Sequence, residues 1–238
     1  MRIIVTGGSS GIGEAIVERF LSDGHEVFNL DIKQSAKGNF IYCDMRNEQA
    51  VTNAVMQVRN AGNIDVLVCN AGRHISANIE QTSEAQLDDI FNLNVKGAFY
   101  AIKACLPAMK EKGASIILVA SDQAIIAKRN SFAYNLSKHA LASIAKTTAL
   151  DYAHFNIRCN AVCPGTIETP LYHAAIDRYC QSSGANKEEV HQEEAAQQPL
   201  GRLGQASEVA SYVHYLSTQE ASFITGSLQV IDGGYCAQ

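Results

Sequence analysis

Short apolar runs alternate with stretches of helical periodicity along the chain. Ile3-Ile4-Val5 is a brief apolar run that ends in glycines. From Gly11 onward, Ile12, Ile16 and Phe20 recur at helical spacing, and Gly24 stops that helix. Val27 to Leu30 reads as a second strand ending at Asp31, and Phe40-Ile41-Tyr42 as a third. A helix follows over Glu48 to Arg59, then the strand Val66-Leu67-Val68. The spacing next predicts one long helix from Ser83 to Lys110, ended by Pro107 and Gly113. Ile116 to Val119 is a strand, Phe132 to His154 a helix, and Ile157 to Val162 a strand. Leu171 to Gln198 is polar and helix-prone; a helix near Ala206 to Leu216 and a strand from Leu228 to Ile231 close the pattern.

Such alternation predicts parallel β-α-β units joined by right-handed crossovers. The expected fold is α/β: a doubly wound, Rossmann-type parallel sheet of seven strands with helices on both faces. No linker, repeat or low-complexity segment divides residues 1–238, so one domain is expected. The stretch 169–205 breaks the alternation and is poor in large apolar residues, as an active-site lid would be.

Composition narrows the function. A formal charge of −5 and the absence of any basic run beyond Lys128-Arg129 argue against nucleic acid as a partner. Met1 to Thr6 read straight into a strand and leave no room for a signal peptide, and no apolar run is membrane-length, so a cytoplasmic, non-membrane protein is expected. Seven cysteines at scattered spacings do not suggest a disulfide framework. Cys159 and Cys163 share one side of a strand and read as buried free thiols. The seven histidines are dispersed and form no H-x-x-x-H set, so no metal is expected. Ser121 lacks the G-x-S-x-G turn of a serine hydrolase.

The candidate chemistry begins at T-G-G-S-S-G-I-G, Thr6 to Gly13, between the first strand and the first helix. Gly7, Gly11 and Gly13 let the backbone turn tightly and approach a pyrophosphate, and the helix N-terminus beside Ser9, Ser10 and Ile12 offers N–H groups to it. Asp31 lies 20 residues after Gly11, where a carboxylate accepts from ribose hydroxyls and repels a 2′-phosphate. NAD is therefore expected over NADP, with Lys33 the one opposing feature. Tyr134 and Lys138 stand one helical turn apart. A free phenol has a pKa of about 10. A neighbouring ammonium is expected to lower it and so fit the phenol for proton transfer. Ser121, 13 residues earlier, closes a strand and can donate to a developing alkoxide.

These motifs together resemble the short-chain dehydrogenase/reductase family, in its shorter single-domain branch. The likeness runs from Arg2 to Gly234: the glycine turn, C-N-A-G at Cys69 to Gly72, N-V-K-G at Asn94 to Gly97, then Ser121 and Y-N-L-S-K at Tyr134 to Lys138. It continues through P-G-T-I-E-T-P at Pro164 to Pro170, I-T-G at Ile224 to Gly226 and I-D-G-G at Ile231 to Gly234. The resemblance implies an NAD-dependent oxidoreductase with Tyr134 as acid/base, Lys138 binding the nicotinamide ribose, Ser121 polarising the substrate oxygen and Asn94 holding a relay water. It further implies cofactor contacts from Asp44, Met45, Asn70, Ala71, Gly72, Pro164, Gly165, Ile167 and Thr169, and a homotetramer or dimer. Two departures stand out: Cys69 replaces the usual first Asn, and Asp122-Gln123 replace a second Ser after Ser121.

For the substrate, Arg73, His74, Gln123, Tyr172 and His173 are polar and suggest a sugar, polyol or hydroxy acid. Arg158 to Pro170 is similar to stretches in family members acting on 3-hydroxybutyrate or deoxy-sugar acids. A non-catalytic cofactor-binding regulator of the same fold is the alternative, and an epimerase or dehydratase of the longer branch a further one.

Overall fold

A computed structural model of the chain describes residues 1–237. Seven parallel strands form one sheet in the order β3-β2-β1-β4-β5-β6-β9. They are β1 (Arg2–Thr6), β2 (Glu26–Asp31), β3 (Asn39–Tyr42), β4 (Val66–Cys69), β5 (Ala114–Val119), β6 (Ile157–Pro164) and β9 (Leu228–Ile231). A separate short ribbon pairs β7 (Ile167–Glu168) with β8 (Gly204–Gln205).

Side-chain alternation along the buried strands divides the core in two. On one face, Ile4, Leu67, Ile116 and Leu118 pack against α2 (Glu48–Asn60), α4 (Gly97–Met109) and α5 (Phe132–Tyr152) through Val55, Ile102, Cys105 and Leu141. Cys159 and Cys163 both face this layer, as their spacing predicts. On the other, Ile3, Val5, Val68 and Ile117 pack against α1 (Gly11–Ser22) and α8 (Ala206–Ser217) through Ile16, Phe20, Val209 and Val213.

The chain leaves β1 toward β2 and β3, then returns to place β4 on β1's other side. That reversal opens a crevice at the C-terminal ends of β1 and β4, the place where such sheets bind ligands. Thr6 and Asn70 staple the two strand ends: Thr6 Oγ1 accepts from the Asn70 and Ala71 N–H groups at 3.0 and 3.1 Å. Asn70 Nδ2 donates to the Gly7 carbonyl at 2.9 Å.

Two long elements differ from a uniform helix. The stretch expected from Ser83 to Lys110 is helical throughout but widens into a π-helical segment over Phe91–Lys96, between α3 (Glu84–Ile90) and α4. Widened turns of this kind re-aim side chains, and Asn94 sits inside this one, buried. Pro107 lies within α4, which ends two residues later at Met109. The expected lid folds as two helices, α6 (Pro170–Ser183) and α7 (Lys187–Ala196), broken at Gly184 with φ +75°. Only Ile176 of these two helices is buried, so little apolar packing holds the lid down.

Phe20 is fully buried between α1, the sheet and α8. Phe20→Ala should lower unfolding free energy by about 3–5 kcal/mol, measured by guanidinium denaturation.

Candidate active site

A cleft of about 600 Å³ occupies the crevice. Its wall begins at Gly7, Ser10, Gly11 and Ile12 and runs past Asp31, Asp44, Met45, Asn70, Ala71 and Gly72 to Tyr134, Lys138 and Thr169. The glycine turn is shaped by close approach. Gly7 has φ +67°, and a Cβ on Gly13 would stand 2.1 Å from the Gly7 carbonyl oxygen. Gly13 therefore seats α1 against the turn rather than lining the cleft. Ser10 enters α1 extended, without a side-chain cap, so the helix presents uncapped N–H groups there. Ser9 turns inward: its Oγ donates to the Lys33 carbonyl at 2.6 Å and its N–H donates to Asp31 Oδ2 at 3.0 Å. Lys33 N–H donates to Asp31 Oδ1 at 2.9 Å. Asp31 is thus fixed at the cleft wall with lone pairs left for ribose hydroxyls.

At the far end lie Ser121 and Lys138, both buried, and Tyr134, half-buried. Lys138 Nζ donates to the Val119 carbonyl at 2.9 Å and lies 5.3 Å from the centre of the Tyr134 ring. Burial pushes the Lys138 pKa down to about 8. The Tyr134 phenol moves opposite to the expected direction: burial raises it well above the ordinary phenol value, a hydrogen bond with Ser121 lowers it in part, and the Asp122 carboxylate raises it further. Desolvation sets the direction, and the Lys138 ammonium stands toward the ring and the Val119 carbonyl.

Asp122, which replaces the family's second Ser, is 2% exposed. Its Oδ1 accepts from Ser121 Oγ at 2.6 Å and from the Gln123 N–H at 2.8 Å. Its Oδ2 faces Lys128 Nζ at 3.2 Å. The Ser121 hydroxyl therefore donates to Asp122, which the sequence marks only as a departure from the family pattern. Gln123, expected at the substrate, is itself buried.

Asn94 forms a clamp. Its Oδ1 accepts from the Arg73 N–H at 3.0 Å, and its Nδ2 donates to the Arg73 carbonyl at 3.1 Å and to Ser137 Oγ at 3.0 Å. Ser137 Oγ in turn donates to the Tyr134 carbonyl at 2.8 Å, so the clamp reaches α5 beside Tyr134. Ser137 carried no signal beyond its place beside Lys138 in Y-N-L-S-K.

The remaining candidates separate. Arg73 lines the cleft, but its guanidinium is paired with Asp89, which also meets Arg46 at 3.4 Å. Arg46 holds the Asp44 carboxylate at 2.8 Å and keeps its pKa low. His74 packs edge-on against the Tyr134 ring, centres 4.8 Å apart, with Nε2 3.2 Å from Ser131 Oγ. Burial, with Arg178, Lys128 and Lys138 adding, pushes its pKa down to about 4, so it stays neutral as a wall for the phenol. His173 lies outside the cleft lining: it meets Glu168 at 3.6 Å and stacks on His191. Pro164, Gly165 and Ile167 are not part of the cleft lining, while Thr169 lines it and caps α6.

Comparison with known proteins bears on this arrangement. A family model described as enoyl-(acyl carrier protein) reductase matches residues 7–236. The chain is 36% identical to the 2-(R)-hydroxypropyl-CoM dehydrogenase of Xanthobacter autotrophicus, covering 98% of each chain. It is 32% identical to the L-fucose dehydrogenase of Bos taurus, covering 98% of this chain and 88% of that one. The ligand-free aldohexose dehydrogenase of Thermoplasma acidophilum superposes with a TM-score of 0.95 at 40% identity, covering 100% of this chain and 94% of that one. The chain belongs to the short-chain dehydrogenase/reductase family. Its uncapped helix N-terminus, its glycine-rich turn and its fixed Asp31 fit the nicotinamide dinucleotide that dehydrogenases of this family bind.

In this family member, Asp122→Asn should leave NADH affinity unchanged and move the acid limb of the kcat pH profile downward, because a carboxylate that opposes Tyr134 ionisation is removed. Cofactor fluorescence titration and steady-state rates across pH check both.

Proposed function

We propose that the protein is an NAD-dependent oxidoreductase acting on a CH–OH group or its carbonyl in a small oxygen-rich molecule such as a sugar, polyol or hydroxy acid. The observation that carries the reading is a single cleft wall joining the glycine turn and Asp31 to Tyr134 and Lys138. Bound NAD would supply or accept hydride at its nicotinamide C4. The chain's own residues do the rest. Asp31 accepts from the adenosine ribose hydroxyls and repels a 2′-phosphate. Tyr134 moves a proton between its phenolic oxygen and the substrate oxygen. Lys138 holds a cation within the same buried space, which favours the phenolate once the crevice is filled. Ser121 orients the reacting oxygen, with Asp122 competing for its proton. Asn94 fixes Arg73 and Ser137 around that end and stands where a relay water would be held. A non-catalytic regulator has no use for this buried phenol and cation.

Support for a CH–OH substrate comes from the relatives' names, which include a dehydrogenase of a sugar and one of a hydroxyalkyl thioether. Among the described residues no helix is long and apolar enough to cross a membrane. A homotetramer or dimer is the proposed assembly, supported by apolar surface left open on α4 and α5 at Phe99, Leu136 and Leu150.

NADH absorbance should change with at least one member of a panel of aldoses, polyols and hydroxy acids. Tyr134→Phe should keep NADH affinity and reduce kcat by about 10²–10⁴-fold; near-normal turnover would reject the role given to the phenol. Asp31→Ala should erode the preference for NAD over NADP, read as the ratio of kcat/KM for the two cofactors. An unchanged ratio would contradict the assignment of Asp31.

A further inference from the structure

We infer that Asp23, His25 and His214 form a site for a divalent transition-metal ion at the end of the sheet opposite the cofactor cleft. His25 and His214 lie 189 residues apart in the sequence, which is why no ligand spacing showed there. The fold brings one donor atom from each of the three residues within 4.8 Å of the others. His214 Nε2 already stands 2.8 Å from Asp23 Oδ2. The two imidazole rings are near-parallel, 16° apart in plane and 6.3 Å between centres.

Three features favour a cation there. Asp23 is the residue that ends α1, and His214 lies in the last turn of α8, so two helix C-termini converge on the site. Their free carbonyl ends carry partial negative charge. Second, the donors are held in place: the buried Phe20 ring backs both imidazoles, at 6.1 Å from His25 and 5.3 Å from His214. Third, Arg19 holds the other oxygen of Asp23 at 2.6 Å, the outer support that ligating carboxylates commonly have.

The donor set chooses the ion. Two imidazoles and one carboxylate oxygen suit zinc, nickel or copper rather than magnesium or calcium. Tetrahedral donors about 2.1 Å from one ion lie about 3.4 Å apart, so the cluster closes by up to roughly 1.4 Å through side-chain rotation. Three protein donors leave a fourth position for water. The bound ion would tie the C-terminal ends of α1 and α8 together beneath the layer whose other end carries the glycine turn.

The test uses the full chain without an affinity tag, stripped with a chelator, then titrated with zinc chloride and with nickel chloride by calorimetry at neutral pH. One ion per chain should bind saturably and raise Tm. His25→Gln and His214→Gln should each weaken binding about tenfold or more and remove the Tm increase, while NADH affinity stays unchanged. Should His214→Gln fail to fold, His25→Gln and Asp23→Asn decide the question, since both positions are at least partly exposed. No saturable binding by the unaltered protein, or undiminished binding by these variants, would overturn the site.

Discussion

A phenol and an ammonium share one buried space at the C-terminal edge of a parallel sheet, and most of the site's architecture serves to keep them there. Burial works against both charged forms. It drives the Lys138 pKa down to about 8 and the Tyr134 pKa up. The pair can do acid–base work only if the energy of a buried charge is shared between them. That need explains the backbone carbonyl of Val119 at Lys138, the neutral His74 ring against the phenol, and the Asn94–Ser137 clamp behind the helix.

The sheet supplies the constraint that brings the glycine turn together with Tyr134 and Lys138. Reversal of strand order between β1 and β4 leaves two strand ends side by side, and Thr6 and Asn70 lock them. The glycine turn leaves β1 at this point, and the segment after β4 passes beneath the same cleft. Tyr134 and Lys138 reach it from α5, and Thr169 closes the far wall at the base of the lid. The helices α6 and α7 carry few buried apolar groups, so little packing holds them in place.

Much of this was legible in the sequence because it rests on local patterns. The period of apolar residues located strands and helices; the glycine turn, Asp31 and the Tyr134–Lys138 spacing pointed to one end of the sheet. What escaped was set by tertiary contact. Nothing local marks the π-helical segment that swings Asn94 toward Arg73 and Ser137. Arg73 reads from the sequence as a substrate-side group, yet Asp89 on α3 takes its guanidinium. His173 read as the start of a substrate-facing lid, and the first turn of α6 aims it at Glu168 instead. Asp122 was visible only as a departure from the family pattern; its grip on the Ser121 proton depends on a burial that no single position reveals. Helical spacing likewise gives the proximity of Lys138 to Tyr134 but not the desolvation that raises the Tyr134 pKa.

The coupling between these two side chains is best read from the pH dependence of alcohol oxidation at saturating NAD, in the unaltered protein and in Lys138→Met. If the cation makes the phenol usable, the unaltered protein loses rate on acidification with an apparent pKa below the value of about 10 for a free phenol, and Lys138→Met moves that limb to higher pH. An acid limb in the same place in both proteins would contradict it.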